Sequence, residues 1–258
     1  MKKRPVSLSL VVFMLIAVGF NPGLLAGQEA QARAATTVRT TSAQTGSQVH
    51  PVTPIAGAAD IMFALDISGS LTTDDMNNMK YAVALLVDLL DEGTDGVLDG
   101  SITADVRVGL VTFGGVSTLN QGLTSDADEF KRSLDAVRVV GGSGTNQGVG
   151  IAGAQEELAN SSSRSRRVII LFTDGALQMV APFSLMTNRE AEADARRVAQ
   201  ETRRAGTEIF TIGFGHWEMS ILSEWASDPI GEYVYTLNRA EELPEIARRI
   251  AMRFARAK

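Results

Sequence analysis

The sequence predicts an α/β fold in which a doubly wound, mainly parallel central sheet lies between two layers of helices. From residue 58 onward, short apolar runs alternate with amphipathic stretches, the pattern of parallel strands joined by helices. The runs at 61–65 and 168–172 are continuously apolar, as expected of strands covered on both faces. Each is followed at once by small polar and acidic residues, where such sheets bind ligands.

The predicted elements follow one another in regular order. We predict strands at residues 61–65, 106–113, 118–123, 168–173, 208–213 and 233–237. We predict helices at residues 73–91, 126–137, 147–159, 188–205, 218–226 and 240–255. Right-handed crossovers between parallel strands then place helices on both faces of the sheet, which makes a three-layer α-β-α, Rossmann-like architecture.

Polar residues and glycine mark several helix ends. Thr72 or Thr73 is expected to cap the first helix, because a hydroxyl there accepts a hydrogen bond from a free backbone N–H. Ser125 is expected to open the second helix in the same way. Gly206 follows the helix at 188–205 and is expected to end it.

Composition limits the classes of protein that fit. The chain has 258 residues, of which 45% are hydrophobic and 21% charged, values typical of a folded protein. Cysteine is absent, which excludes disulfides, thiolate zinc sites and cysteine nucleophiles. The formal net charge of −6 argues against nucleic acid as a general partner.

The N-terminus has the features of a cleavable signal peptide. Basic residues 2–4 precede an apolar stretch at 6–20, which is too short to span a bilayer comfortably. An Ala-x-Ala site ends at Ala32, and cleavage after Ala26 is an alternative. We predict that residues 1–32 are removed and that the mature protein is secreted or periplasmic, without a transmembrane segment. An uncleaved anchor or a buried element is the competing interpretation.

Two further segments follow the predicted signal peptide. Residues 33–57 are rich in Thr, Ser, Ala, Gln and Gly and lack periodicity, so we predict a flexible linker. Residues 58–258 form the predicted domain. Removal of residues 1–32 would leave 21 basic and 29 acidic residues, a net charge of −8.

Three short polar segments are predicted to meet at one edge of the sheet. They are Asp66-Ile67-Ser68-Gly69-Ser70, the Gly144-Thr145 step, and Thr173-Asp174-Gly175. Each alone is usually an ordinary turn. Together, their loops bring two carboxylates and three hydroxyls to one edge of the sheet. All five groups offer hard oxygen atoms, which suit Mg²⁺, Mn²⁺ or Ca²⁺ rather than zinc or copper.

The set resembles the metal-ion-dependent adhesion site of the von Willebrand factor type A domain, and the resemblance covers residues 58–254. It implies that residues 118–123 form an antiparallel edge strand. It also implies a divalent cation, with Mg²⁺ as first choice, and five site residues: Asp66, Ser68, Ser70, Thr145 and Asp174.

The resemblance also implies how the site would act. Ser68 and Ser70 would ligate the cation directly, as would Thr145 in a tight-binding state, while Asp66 and Asp174 would act largely through water. A partner protein's Asp or Glu carboxylate would complete the coordination. A sliding C-terminal helix at 240–255 could couple to the geometry of the site.

Nucleotide binding is the first competing interpretation. The loop at 141–146 lacks the Gly-Lys-Ser/Thr ending of a phosphate-binding loop. A literal Gly-x-Gly-x-x-Gly at 148–153 falls inside a predicted helix and lacks an evident acidic ribose partner. We therefore predict no nucleotide, and we expect the glycines to allow close backbone approach.

Two other competing sites have incomplete patterns. Residues 91–100 faintly resemble a calcium loop, but Ile102 stands where the closing Glu is required, so we favour a structural turn. A Ser-His-Asp triad would need His216 beside Ser68 or Ser70, yet no nucleophile elbow is present. The chain is thus predicted not to be an enzyme and to have no catalytic residues.

The function predicted from the sequence is metal-dependent binding of another protein, or adhesion. The alternatives are an accessory subunit of an exported or surface complex and, ranked lower, a metal-dependent hydrolase. The apolar stretch at 176–186 is a candidate docking surface, though it could instead fold onto neighbouring helices. The arginines at 164, 166 and 167 and those of the last helix are interpreted as solvated, with a basic patch for acidic lipid or an acidic partner as the alternative.

Overall fold

The computed structural model describes residues 57–95, 98–102, 105–141, 144–160, 165–174, 187–214, 219–237 and 242–254. The predicted signal peptide, the linker up to residue 56, the apolar stretch at 176–186 and both histidines lie outside these residues. The predictions made for those segments therefore stay predictions.

In the described part of the chain, six strands form one sheet in the order β3-β2-β1-β4-β5-β6. The strands are β1 (Ala59–Asp66), β2 (Val106–Phe113), β3 (Ser117–Thr124), β4 (Arg166–Thr173), β5 (Glu208–Phe214) and β6 (Val234–Leu237). All neighbouring pairs are parallel except β2 with β3, which is antiparallel. The predicted fold class and the antiparallel edge strand are confirmed.

Helices cover both faces of the sheet. They are α1 (Thr73–Asp95), α2 (Ala127–Ala136), α3 (Gln147–Ala159), α4 (Asn188–Arg204), α5 (Met219–Ser223), α6 (Ile230–Tyr233) and α7 (Leu243–Phe254). Helix α1 packs with α2 and α7, whereas α3 packs with α4 and against the central strands. None of the helices that the structure describes combines the length and apolar character needed to cross a membrane.

The core lies on both sides of the two central strands. Every residue of β1 is buried, and so are the last six residues of β4. Because helices cover both faces, continuous apolar strands lose their contact with water on each side. Large side chains fill the space, and the rings of Phe63 in β1 and Phe130 in α2 lie 5.4 Å apart. This rigid centre holds the loops that follow β1 and β4.

The structure corrects three details of the predicted helices. Asp126, rather than Ser125, caps α2, because its side chain accepts a hydrogen bond from the backbone N–H of Glu129. Helix α1 continues to Asp95, four residues beyond the predicted end. The short helix α6 was not predicted at all.

The segment at residues 91–100, which faintly resembles a calcium loop, has a structural role. Asp91 lies inside α1, is fully buried, and accepts a hydrogen bond from the backbone N–H of Gly100 at 2.9 Å. Asp99 accepts one from the N–H of Ser101 at 3.0 Å. These two carboxylates stabilise the connection that follows α1. This agrees with the prediction of a structural turn, but the turn begins later than residue 91, because Asp91 still lies in the helix.

Ion pairs tie neighbouring strands together at the amino edge of the sheet. Arg166 binds both carboxylate oxygens of Glu208, each at 2.7 Å, across the β4–β5 pair. Arg107 forms a similar two-bond pair with the buried Asp60 across β1 and β2. The interpretation of Arg166 as a solvated side chain was wrong, because Glu208 at the start of the neighbouring strand, opposite Val168, forms an ion pair with it.

Candidate metal centre

Asp66 is the last residue of β1 and is fully buried. Its Oδ1 accepts a hydrogen bond from the backbone N–H of Ser68 at 2.9 Å, which closes a tight polar turn. Its Oδ2 accepts one from Thr173 Oγ1 at 2.8 Å, across the β1–β4 pair. Thr173 thus positions Asp66, a role that its place in the Thr-Asp-Gly segment did not reveal.

The other residues of the first loop continue toward Asp174. The hydroxyls of Ser68 and Ser70 lie 3.0 Å apart, and Ser70 Oγ donates to Asp174 Oδ1 at 3.1 Å. Ser68 is buried, Ser70 is exposed, and Asp174 is half-buried, so the group opens to the surface on one side. The structure therefore brings together four of the five predicted site residues.

Thr145, the fifth predicted residue, reaches the group indirectly. It is 3% exposed and lies in the loop before α3, where the next residue, Asn146, donates its backbone N–H to Gly114 O at 2.9 Å. Gln147 Nε2 then donates to Thr173 Oγ1 at 3.3 Å. Within the described residues Thr145 makes no direct hydrogen bond to the other four, and its loop is joined to them through Gln147 and Thr173.

The surroundings of the two carboxyl groups oppose their ionisation. Burial raises the pKa of Asp66 to about 6, against hydrogen bonds from Ser68 and Thr173 that lower it, and the charge of Asp174 raises it further. Burial also raises the pKa of Asp174, and the charge of Asp75 adds to that effect. Among the described residues, neither Asp66 nor Asp174 has a Lys or Arg partner that would balance its charge.

The donor set fits a hard divalent cation. It consists of two carboxylates with unbalanced charge and of hydroxyl groups, all oxygen atoms. In the part of the chain that the structure describes, no group of three or more His, Cys, Asp or Glu side chains forms an alternative metal cluster. The residues that would hold the cation are Asp66, Ser68, Ser70, Thr145 and Asp174.

Two exposed valines border this group of loops. Val140 donates its backbone N–H to Ile67 O at 2.8 Å, between Asp66 and Ser68, and is 48% exposed. Val116 accepts from Gly114 N at 3.0 Å and is 66% exposed. Gly114 also accepts a hydrogen bond from the backbone N–H of Asn146. Val140 is therefore bound to the loop after β1, and Val116 is linked through Gly114 to the loop before α3.

The glycines of the nucleotide-like pattern pack against protein. A Cβ on Gly148 would lie 2.8 Å from Ala195 Cα in α4, and one on Gly150 would lie 2.5 Å from the Phe113 ring. A Cβ on Gly153 would lie 2.7 Å from the Ser117 hydroxyl. Close packing of α3 against its neighbours therefore accounts for all three glycines.

The comparison with known families agrees with this geometry. The family model of the von Willebrand factor type A domain matches residues 60–249, well over half of the chain. The chain belongs to this family. The six-stranded sheet with helices on both faces and the loops around Asp66 and Asp174 are thus those of a von Willebrand factor type A domain.

Relatives of this type A domain are parts of larger proteins. Mouse Sushi, von Willebrand factor type A, EGF and pentraxin domain-containing protein 1 is 28% identical over 213 residues, 79% of this chain and 5% of that protein. Chicken matrilin-3 is 25% identical over 187 residues, 68% of this chain and 36% of that protein. The chain therefore spans only a small part of the length of these relatives.

A solved structure with a similar fold is proximal thread matrix protein 1 from the mussel byssus. It has a TM-score of 0.61 and 23% identity, covers 78% of this chain and 47% of the other, and is described with a zinc-occupied MIDAS motif. At this identity the likeness concerns the fold. The metal in that protein is zinc, whereas the oxygen donors predicted here led us to favour Mg²⁺.

Proposed function

We propose that this type A domain binds another protein through a divalent cation held by Asp66, Ser68, Ser70, Thr145 and Asp174. The observation that carries the proposal is the pair of carboxylates, one of them fully buried, that no described basic side chain balances. A cation would supply the missing positive charge and an electrophilic point for an Asp or Glu carboxylate of the partner. We propose Mg²⁺, with Mn²⁺ and Ca²⁺ as alternatives.

The chemistry of the surrounding surface supports a protein as the partner. Ser70 is exposed and Asp174 is half-buried, so a carboxylate can approach the group from outside. Val116 and Val140 add apolar contact area beside that opening. A polar centre bordered by exposed apolar side chains is typical of interfaces between proteins.

We propose that the domain does not catalyse a reaction. Matrilin-3 is among the named relatives, and the donor set is explained by holding a cation. We further propose export through the predicted signal peptide at residues 1–32, which the mass of the purified mature protein would test. An accessory role in an exported complex would use the same site and differs only in the partner.

The first experiment is a thermal melt of the protein in EDTA and then in excess Mg²⁺, Mn²⁺ or Ca²⁺. A ligand at about a hundred times its Kd stabilises the folded state by roughly 2.7 kcal/mol. For a domain of this size we expect an increase in Tm on the order of 5–10 °C. The size of the increase ranks the metals.

Two matched variants make this experiment specific. Asp174→Asn should abolish the increase, because it removes one of the two unbalanced charges. Asp105→Asn should keep it, because Asp105 is an exposed carboxylate before β2, at the opposite edge of the sheet. An equal increase in the wild type and in Asp174→Asn would contradict the proposed site.

Binding is tested next with surface-immobilised peptides that differ only in one Glu or Gln residue. We expect retention on the Glu peptide in the stabilising metal and release in EDTA. Retention that is the same for both peptides, or that survives EDTA, would contradict the role of a partner carboxylate.

A further inference from the structure

A groove lies beside the edge strand β6, and none of the candidate metal-site residues lines it. It has a volume of about 230 Å³ and lies between α6, the start of β6 and the last turns of α7. Its lining residues are Gly231, Glu232, Tyr235, Arg249, Met252 and Arg253. Tyr235 pairs with Ile212 of β5, which pairs with Phe172 of β4, so the groove is separated from the loops after β1 and β4 by the width of β5 rather than by the length of the strands.

Two arginines lie over aromatic rings in this groove, and only one of them is paired with a carboxylate of the described residues. Arg253 lies 4.6 Å from the Tyr233 ring centre, forms an ion pair with Glu232, and donates to the Tyr233 hydroxyl at 3.0 Å. Arg249 lies 5.1 Å from the centre of the Tyr235 ring. Among the described residues, Arg249 has no carboxylate partner and no hydrogen-bond acceptor.

The Arg249 guanidinium is held in a defined position. Tyr235 is only 6% exposed, and its hydroxyl donates to Glu232 O at 2.9 Å, which fixes the ring beneath the arginine. Stacking on a ring leaves the N–H groups at the edge of a guanidinium free to bind a carboxylate with two parallel bonds. The arrangement therefore costs less entropy on binding than a mobile arginine would.

Apolar surface adjoins the free guanidinium. Met252 in the groove is 50% exposed, and Ile230, which precedes the lining residue Gly231, is 40% exposed. Methionine adapts its shape to different apolar partners. The combination fits a segment in which an acidic side chain stands beside an aliphatic one.

We propose that this groove binds an acidic segment of a partner protein, with a partner carboxylate on Arg249 and an aliphatic neighbour on Met252. A protein segment fits better than an anionic membrane, because the site is a concave groove with the Glu232 carboxylate, 48% exposed, on its wall.

The consequence is a domain with two separate protein-binding sites. The candidate metal centre follows β1 and β4, whereas the groove lies at the edge strand β6, and the two sites share no residue. The groove needs no metal, which separates the two sites experimentally.

The test measures binding of a fluorescent peptide of alternating Leu and Glu to the full chain in EDTA, by anisotropy. A peptide of the same length with Gln in place of Glu is the neutral control. We expect the Glu peptide to bind at least about tenfold more tightly, since a hydrogen bond to a charged group is worth about this factor. Equal binding of both peptides would overturn the proposal.

Neighbouring arginines supply the matched variants. Arg249→Gln should weaken binding at least about tenfold, whereas Arg248→Gln, an exposed residue outside the groove lining, should change it less than about twofold. Met252→Gln should weaken binding without changing any charge. Equal losses in Arg248→Gln and Arg249→Gln would show general charge attraction and overturn the proposed groove.

The last experiment measures co-sedimentation of the protein with vesicles of phosphatidylcholine and phosphatidylserine. We expect no co-sedimentation of the protein with them. Co-sedimentation that Arg249→Gln abolishes, without binding of the Glu peptide, would assign the groove to membranes and overturn the protein partner.

Discussion

Asp66 ends a fully buried strand in surroundings that disfavour its charge. Burial raises the pKa of Asp66 to about 6, and hydrogen bonds from Ser68 and Thr173 only partly offset that effect. Asp174 adds like charge from the loop after β4. In the proposed function, a divalent cation converts this unfavourable pair into a binding site.

The metal-free protein should therefore lose stability as the pH rises. An unfolded Asp has a pKa of about 3.9, so between that pH and about 6 the folded protein holds a proton that unfolding releases. The stabilisation is complete below about pH 4 and is lost as the pH rises through about 6, on the order of 3 kcal/mol in all.

Urea unfolding in EDTA across this range of pH provides the measurement. The wild type should lose stability relative to Asp66→Asn, whose amide does not titrate. Asp105→Asn should follow the wild type, because its carboxylate is exposed. Parallel curves for the wild type and Asp66→Asn would show that Asp66 is not the group responsible.

At the scale of the elements, close packing of α3 fixes the position of the loop that carries Thr145. The helix approaches Phe113 of β2 at Gly150 and Ala195 of α4 at Gly148, where any side chain would collide with a neighbour. Asn146 caps the same helix by accepting from the backbone N–H of Gly148 at 2.9 Å. The start of α3, and with it Gln147 beside Thr173, is thereby fixed against the sheet.

Gly150→Ala should destabilise the domain although alanine favours helices. Its Cβ would lie 2.5 Å from the buried Phe113 ring, and overpacking of this kind costs typically about 1–3 kcal/mol. Gly231→Ala in α6 has no atom within 4 Å of its Cβ and should be neutral or slightly stabilising. Equilibrium urea unfolding of both variants checks this, and equal stability of the two would refute the packing argument.

Across the whole molecule, one polar network joins α7 to the sheet at the edge opposite the candidate metal centre. Glu208 binds Arg166 twice and accepts from the Tyr233 hydroxyl at 2.6 Å, while Arg166 also donates to Arg253 O at 2.8 Å. Strands β4 and β5, helix α6 and the end of α7 therefore share one set of contacts. This network joins the end of α7 to the sheet, in addition to the apolar packing of the buried Ala247 and Ile250.

Glu208→Gln should lower the free energy of unfolding by about 3 kcal/mol, because it leaves the largely buried Arg166 without its charged partner. Glu201→Gln, which breaks an exposed pair with Arg197 on α4, should cost less than about 1 kcal/mol. Chemical unfolding of both variants measures the difference, and equal losses would contradict the role of the network.

The same variant tests whether α7 is coupled to the candidate site, as the family resemblance implied. If the position of α7 influences the loops, Glu208→Gln should change the Kd for Mg²⁺ although Glu208 is not a proposed ligand. Calorimetric titration gives that Kd. A value equal to that of Glu201→Gln would remove the support for a sliding helix.

The fold and the carboxyl-edge cluster were accessible to sequence reasoning because both depend on local patterns. Alternating apolar strands and amphipathic helices predict a parallel sheet, and a parallel sheet gathers the loops after β1 and β4 at one edge. Asp66, Ser68, Ser70 and Asp174 are therefore predicted to lie close together, and the structure joins them by hydrogen bonds. Thr145 differs from these four residues, because it lies in the loop before α3 and its position depends on how that helix packs.

Tertiary structure alone decided which distant residues meet. Thr173 donates to Asp66 across 107 positions of sequence, and Arg166 pairs with Glu208 across 42, because the strand order places β4 between β1 and β5. The groove at Arg249 likewise exists only where α7 lies against β6. A sequence pattern reflects neighbours within a few residues, whereas these contacts and the pKa of Asp66 depend on packing and on the exclusion of water, which arise only when the chain has folded.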